Sequence, residues 1–322
     1  MKHILSIMTA SVLLFSCERH IDINPDGPDR MLVMNSMISS SDTVHQAFFY
    51  VSRKGSAEAD RNMDVDLKVY VNGNLVSESS GTAEYGKGVD FHAAVSEGDL
   101  IRLSASSGDL KAEGEVKVAR SVPFEIIDTS LVRRPGKEDY TRCVVKVDDP
   151  GGERNFYMFE ALQSTFYTLR DEPYSGPMKQ GDTVEVSLRA LQIDCRNEPL
   201  LNRNVSADFD SESFYRKFCL FTDETFEGGS YTFNLLLPRI RTFEAGHGAL
   251  HGVYVVDTRR SLSLRLLSFD RQTYNYISSW LLNESDLDGS LFVDPVPYPD
   301  NVGGGGIGFI TAMGGTDVTV QR

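Results

Sequence analysis

Apolar and polar residues alternate with period two along most of this chain, as expected of strands that bury one face. Asp64-Val65-Asp66-Leu67-Lys68-Val69-Tyr70-Val71 is the cleanest run, and Asn72-Gly73-Asn74 then turns the chain back into Leu75-Val76. That pairing of alternation and turn predicts a hairpin. Met31–Met34 and Val44–Val51 precede it; Val89–Val95, Leu100–Ala105 and Leu110–Val118 follow, separated by Glu97-Gly98-Asp99 and Ser107-Gly108-Asp109. So many short strands within roughly 90 residues predict an immunoglobulin-like β-sandwich over residues 31–120, without the Cys–Trp–Cys core of antibody domains. Arg120-Ser121-Val122-Pro123 reads as a boundary.

Residues 121–322 predict a larger, β-rich C-terminal domain. Its strand candidates are Glu125–Val132, Thr141–Val147, Phe156–Leu162, Thr183–Leu191, Lys217–Phe221, Ser230–Pro238 and Gly252–Leu267. A last strand, Ile307–Ala312, is bracketed by glycines, and Asp317–Val320 ends the chain. One main α-helix interrupts the pattern near Ser268–Leu282. Ser268 or Asp270 is placed to cap it, Tyr274, Ile277 and Leu281 fall on one face, and Trp280 sits beside them. The bland reading of that stripe, a helix packed on a sheet, is the expectation. The fold class is therefore mainly β. No internal repeat is visible.

The first 30 residues follow a different pattern. Met1-Lys2-His3 is a short positive start, Ile4–Phe15 is mostly apolar, and Leu14-Phe15-Ser16-Cys17 resembles a bacterial lipoprotein cleavage box, although Phe15 is bulkier than usual. A run this short does not span a bilayer as a permanent helix. Residues 1–16 are thus expected to be a signal peptide and Cys17 the lipidated residue, several acyl chains on one cysteine making a stable anchor. Asn24-Pro25-Asp26-Gly27-Pro28-Asp29 makes residues 17–30 an anchor and tether rather than a folded element. The expected location is the outer membrane. Glu18 and Asp22 beside Arg19 leave open which face is exposed.

Composition narrows the function. A formal charge of −14 over 322 residues argues against nucleic acid and against anionic membrane surfaces as partners. Apolar residues at 41% suffice for a folded core. Beyond Cys17 there are three cysteines, Cys143, Cys195 and Cys219. An oxidising compartment admits one disulfide, and Cys195–Cys219 is the nearer pair, while Cys143 sits in a strand where a buried thiol is expected.

No catalytic motif stands out. Gly303, Gly305 and Gly308 satisfy G-x-G-x-x-G formally, but Gly314-Gly315 leaves no room for the helix that a dinucleotide site needs. A glycine-rich turn entering a strand is the better reading. His247 and His251 lie among glycines, so they do not share a helical face for a metal. Asp286-Leu287-Asp288-Gly289 and Asp208-Phe209-Asp210 lack the full calcium loop. Asp148-Asp149 is a carboxylate pair without a readable separation. No cofactor and no metal are expected, and the protein is not expected to be an enzyme. Loops on a β scaffold are where binding resides, which points to Arg170–Gly181 and Asn197–Ser213, and to Tyr174 and Tyr298 as ligand or partner contacts, with Phe166-Tyr167 nearby. Asp42-Thr43-Val44 and Asp182-Thr183-Val184 resemble O-glycosylation tripeptides, making Thr43 and Thr183 candidate acceptors.

Three segments resemble a Bacteroidetes lipoprotein family, domain-of-unknown-function family 4249. They are Phe218-Cys219-Leu220-Phe221-Thr222-Asp223-Glu224-Thr225-Phe226-Glu227-Gly228-Gly229-Ser230-Tyr231, Leu262-Ser263-Leu264 leading to Tyr274-Asn275-Tyr276-Ile277, and Asp294-Pro295-Val296-Pro297-Tyr298-Pro299-Asp300-Asn301-Val302 followed by Gly304-Gly305-Gly306-Ile307-Gly308-Phe309. Thr311-Ala312-Met313 departs from the pattern. The resemblance implies an outer-membrane lipoprotein working beside a TonB-dependent outer-membrane transporter in nutrient uptake. It carries over no catalytic residue. A surface structural or adhesive lipoprotein is the alternative.

Overall fold

The alternating runs fold as strands, most of them within a few residues of the expected ends. The computed structural model describes residues 30–53, 62–84, 87–133, 139–170, 179–201, 215–216, 218–245, 249–250, 253–285 and 300–321. The first part holds β1 (Arg30–Ser39), β2 (Val44–Arg53), β3 (Met63–Val71), β4 (Asn74–Ala83), β5 (Val89–His92), β6 (Leu100–Ser107) and β7 (Leu110–Lys117). Alternation decides which side each strand buries. In β3, Val65, Leu67 and Val69 are buried while Asp64, Asp66 and Lys68 face solvent. Asn72 and Gly73 both take positive φ, 51° and 82°, which lets a two-residue turn follow the twist of the β3–β4 hairpin. β1, β2 and β5 form one layer, and β4, β3, β6 and β7 the other. The two layers enclose the first core between them.

The second part adds β8 (Phe124–Val132), β9 (Tyr140–Asp148), β10 (Phe156–Leu169), β11 (Thr183–Leu191), β12 (Ile193–Asp194), β13 (Tyr215–Arg216), β14 (Cys219–Thr222), β15 (Ser230–Pro238), β16 (Phe243–Ala245), β17 (Ala249–Leu250) and β18 (Val253–Phe269). Helix α1 (Arg271–Ser285) follows, then β19 (Val302–Gly303) and β20 (Ile310–Gln321). Strands β13, β12, β15, β9 and β8 make a five-stranded sheet. Opposite it, β11, β10 and β18 continue through β20 into β1, β2 and β5 as a single ten-stranded sheet, with β14, β16 and β17 at its side.

β20 joins the two parts. Its first four residues pair in parallel with Ser36–Ser39 of β1, and from Gly314 onward it pairs antiparallel with β18. The glycine pair expected to end the strand is where it changes partner. A Cβ at Gly314 would press on the Arg120 backbone, and one at Gly315 on the Ser39 and Ser41 hydroxyls. β19 meanwhile pairs with β7. The last segment thus covers one edge of each sandwich layer, edges that would otherwise present unpaired N–H and C=O groups. The boundary expected at residue 120 divides the chain but not the packing. Val302, Ile310 and Ala312 complete the first core with Leu32, Leu67 and Leu103, while Val318 and Val320 pack on the second.

Both cores lie on one face of the long sheet. Leu262, Leu264 and Leu266 of β18 enter the second core, whereas Leu267 and Phe269 point to the opposite face. There α1 docks, with Ile277 and Tyr274 on Phe156, Met158 and Met313. Asp270 is its cap, accepting the Thr273 N–H at 2.7 Å. Ser268, the other cap expected, belongs to β18 and donates its hydroxyl to the Arg120 carbonyl. The Cys195–Cys219 disulfide is not formed; these two and Cys143 are buried thiols. Cys195 follows the five-stranded sheet and Cys219 opens a strand of the long one, so both fill a shared core as small apolar side chains.

Candidate functional site

The outward face of the long sheet, beside α1, carries a cleft of about 980 Å³. Period-two geometry builds it: the residues of β1, β2, β10, β18 and β20 that do not enter the cores form its floor and walls. Met158, Leu267 and Met313 lie beneath, Ile277 and Tyr276 come from α1, and Met37, Val44 and Phe48 form the far wall. Met37, Val44 and Phe48 are 44%, 51% and 40% exposed, a concentration of apolar surface that water does not favour. Tyr276 stacks on Phe309 with ring centroids 4.3 Å apart.

A charged row crosses this floor. Glu160 of β10 stands opposite Arg265 of β18, and Arg265 opposite Asp317 of β20. Arg265 Nε donates to Asp317 Oδ1 at 2.7 Å and Nη2 to Asp317 Oδ2 at 3.2 Å. Its Nη1 and Nη2 also donate to Asp42 Oδ2 and Oδ1, each at 3.0 Å. Two carboxylates therefore hold the planar guanidinium in a bidentate manner, and four of its five N–H groups are committed. Glu160 feels the charge of Arg265 without receiving a hydrogen bond from it. Among the described residues, this half-buried carboxylate has no hydrogen-bond partner. Burial pushes it up to about 7, opposed by Arg265 and reinforced by Asp42 and Asp317. At the rim, His45 donates Nε2–H to the Ala93 carbonyl at 3.0 Å, and burial lowers its affinity for a second proton.

A second polar cluster lies elsewhere and is structural. Asp149 accepts from Tyr157 Oη at 2.5 Å, from the backbone of Gly151 and Gly228, and from Asn155 Nδ2. Asp223 accepts from the Asn155 backbone at 2.7 Å, and burial raises its pKa. These bonds pin the loop before β10 to the loop after β14. Asp148 is exposed and engaged with Lys146 and Ser230, so the Asp148-Asp149 pair is divided between solvent and interior. Within the glycine run, the close packing falls at Gly306 and Gly308, while Gly303 and Gly305 are uncrowded. A Cβ at Gly306 would lie 2.5 Å from that of Ala112, and Gly308, at φ 133°, runs against the Met34 carbonyl. No phosphate cradle results.

Thr43 and Thr183 are both exposed, Thr43 between two cleft residues, Asp42 and Val44. Phe166 and Tyr167 lie near the end of β10. Cys17, Tyr174, Tyr298, His247, His251, Asp208, Asp210, Asp286 and Asp288 lie outside the described residues. Sequence reasoning missed Glu160, Arg265, Asp42 and Asp317. A signal existed: Glu160 and Arg265 are lone charges inside the apolar runs Phe156–Leu162 and Leu262–Leu267. Among the described residues, no group of three or more His, Cys, Asp and Glu side chains is placed to hold a metal, and no helix is long and apolar enough to cross a membrane.

A mainly β scaffold of stacked sheets, with a cleft on the outer face of the longest one, defines the class of protein. Residues 18–318 match the family described as Domain of unknown function (DUF4249), and the chain belongs to that family. No curated protein matches it.

Proposed function

We propose that this chain is a non-catalytic, lipid-anchored outer-membrane lipoprotein that binds a ligand for, or serves as an accessory of, a TonB-dependent nutrient transporter. The observation that carries the reading is the cleft, whose apolar walls surround a few convergent polar groups in the manner of small-molecule sites. The lipobox ending at Cys17 and the segments resembling family 4249 support the anchor and the partner. A tether of about 13 residues, Glu18–Arg30, reaches at most about 45 Å, which keeps the body near the membrane and raises its effective concentration toward a neighbour.

Affinity purification from gently solubilised outer membranes is the test, with fatty-acid labelling of the wild type and of Cys17→Ala as its control. A transporter is expected in the eluate, and label is expected only in the wild type. If no transporter co-purifies, and deletion of the gene alters adhesion but not growth on limiting nutrients, the surface structural reading replaces this one.

A further inference from the structure

We infer that the cleft takes an amphipathic cation, a small ligand whose apolar body lies between Phe48, Met37 and Met158 and whose protonated amine is received by Glu160. This deepens the ligand-binding reading above and rests on it. Three observations carry it. First, the floor is unbalanced. Asp42, Asp317 and Glu160 face a single guanidinium, that of Arg265, and Asp90, bonded to Gln46 at the rim, adds a further negative charge. An anionic head would meet net negative charge, and Arg265 has little left to offer it because Asp42 and Asp317 already hold its fork.

Second, Glu160 is the polar group of the floor without a hydrogen-bond partner among the described residues. A half-buried carboxylate in that position gains most from a donor that also carries positive charge. Third, the surroundings suit an apolar body rather than a metal ion. Met158 lies two residues from Glu160 on the same face of β10, and Phe48 and Met37 are substantially exposed across the cleft. Calcium or magnesium would need several more oxygen ligands than the floor provides.

The groups that face Glu160 come from three elements: Arg265 on β18, Asp317 on β20 and Asp42 in the turn after β1. Asp90 and His45 stand at the β2–β5 rim. Binding of an amine favours the ionised form of Glu160. Affinity should therefore rise between about pH 6 and about pH 8 as the carboxylate ceases to need deprotonation.

The test is equilibrium dialysis of the full chain against three probes that share one body: phenylbutylamine, phenylbutanol and phenylbutyrate. At about pH 8 the amine is expected to bind at least about tenfold more tightly than the other two. Glu160→Gln, which keeps shape and removes charge, should abolish that preference. Phe48→Ala should weaken the alcohol and the amine alike. Equal binding of all three probes, preference for phenylbutyrate, binding of none, or an amine preference that survives Glu160→Gln would each overturn the proposal. Recovery of a transporter together with any of these results would leave the accessory reading standing and remove only the ligand class.

Discussion

The two cores of this molecule are built by different means. The first is largely aliphatic, with Leu32, Leu67, Val69, Ile101 and Leu103 closed between short hairpins; the charged side chains of β3 face outward, and the buried polar groups Ser36 and His45 bond nearby backbone carbonyls. The second is aromatic. Tyr157, Phe159, Phe221 and Phe233 form a cluster with ring centroids 4.7–5.2 Å apart. Buried carboxylates stand around it. Glu198 accepts from Tyr231 Oη and from the Asn234 backbone, and Asp149 and Asp223 pin loops far apart in sequence. Adjacent hairpins need only a shared apolar face. Long connections between distant strands need directional bonds that hold loops in one arrangement.

The comparison breaks most severely if the halves prove independent. β20 contributes to both cores, so removing residues 307–322 should abolish cooperative folding of the whole chain, a loss exceeding the roughly 5–15 kcal/mol of a typical domain. Near-ultraviolet circular dichroism and limited proteolysis would show it. A protease-resistant fragment covering residues 121–285 would mean that the second core stands alone.

Next in size is the contrast between polar groups. Asp149→Ala leaves Tyr157 Oη and two backbone N–H groups without their acceptor and should lower stability by about 3 kcal/mol in a denaturant melt. Asp64→Ala in the first half removes an exposed bond from Thr82 and should change it by no more than about 0.5 kcal/mol. Equal effects would erase the distinction drawn between the two cores.

The smallest effect concerns the sheet that the halves share. Glu160 has a raised pKa in the fold, from 4.5 to about 7. The native state therefore holds this proton more tightly than the unfolded chain does. The stability it contributes is fully present below about pH 4.5 and is lost as pH rises toward 7. Glu160→Gln should stabilise the protein by about 1–2 kcal/mol at about pH 8 and not at about pH 4. Thermal melts at the two pH values check this, and a pH-independent effect would mean that the carboxylate is not penalised by burial.

Much of the fold is legible from residue patterns. The β3–β4 hairpin follows from alternation and Asn72-Gly73, and the helix from Asp270 with its Tyr274 and Ile277 stripe. These are local properties: which face is buried, where φ turns positive, which N–H is capped. The alternation also determined the mainly β class. Tertiary structure alone decided that Ser36 pairs with Ile310, that Gly314-Gly315 is a change of partner rather than a break, and that Cys195 and Cys219 remain thiols. It alone brought Asp42 to Arg265 across 223 residues of chain and set Glu160 beside them. Strand register over such separations is chosen by the packing of whole sheets and by which edges must be covered. No window of neighbouring residues carries that information, because each strand's pattern states that it will be buried and is silent about by whom.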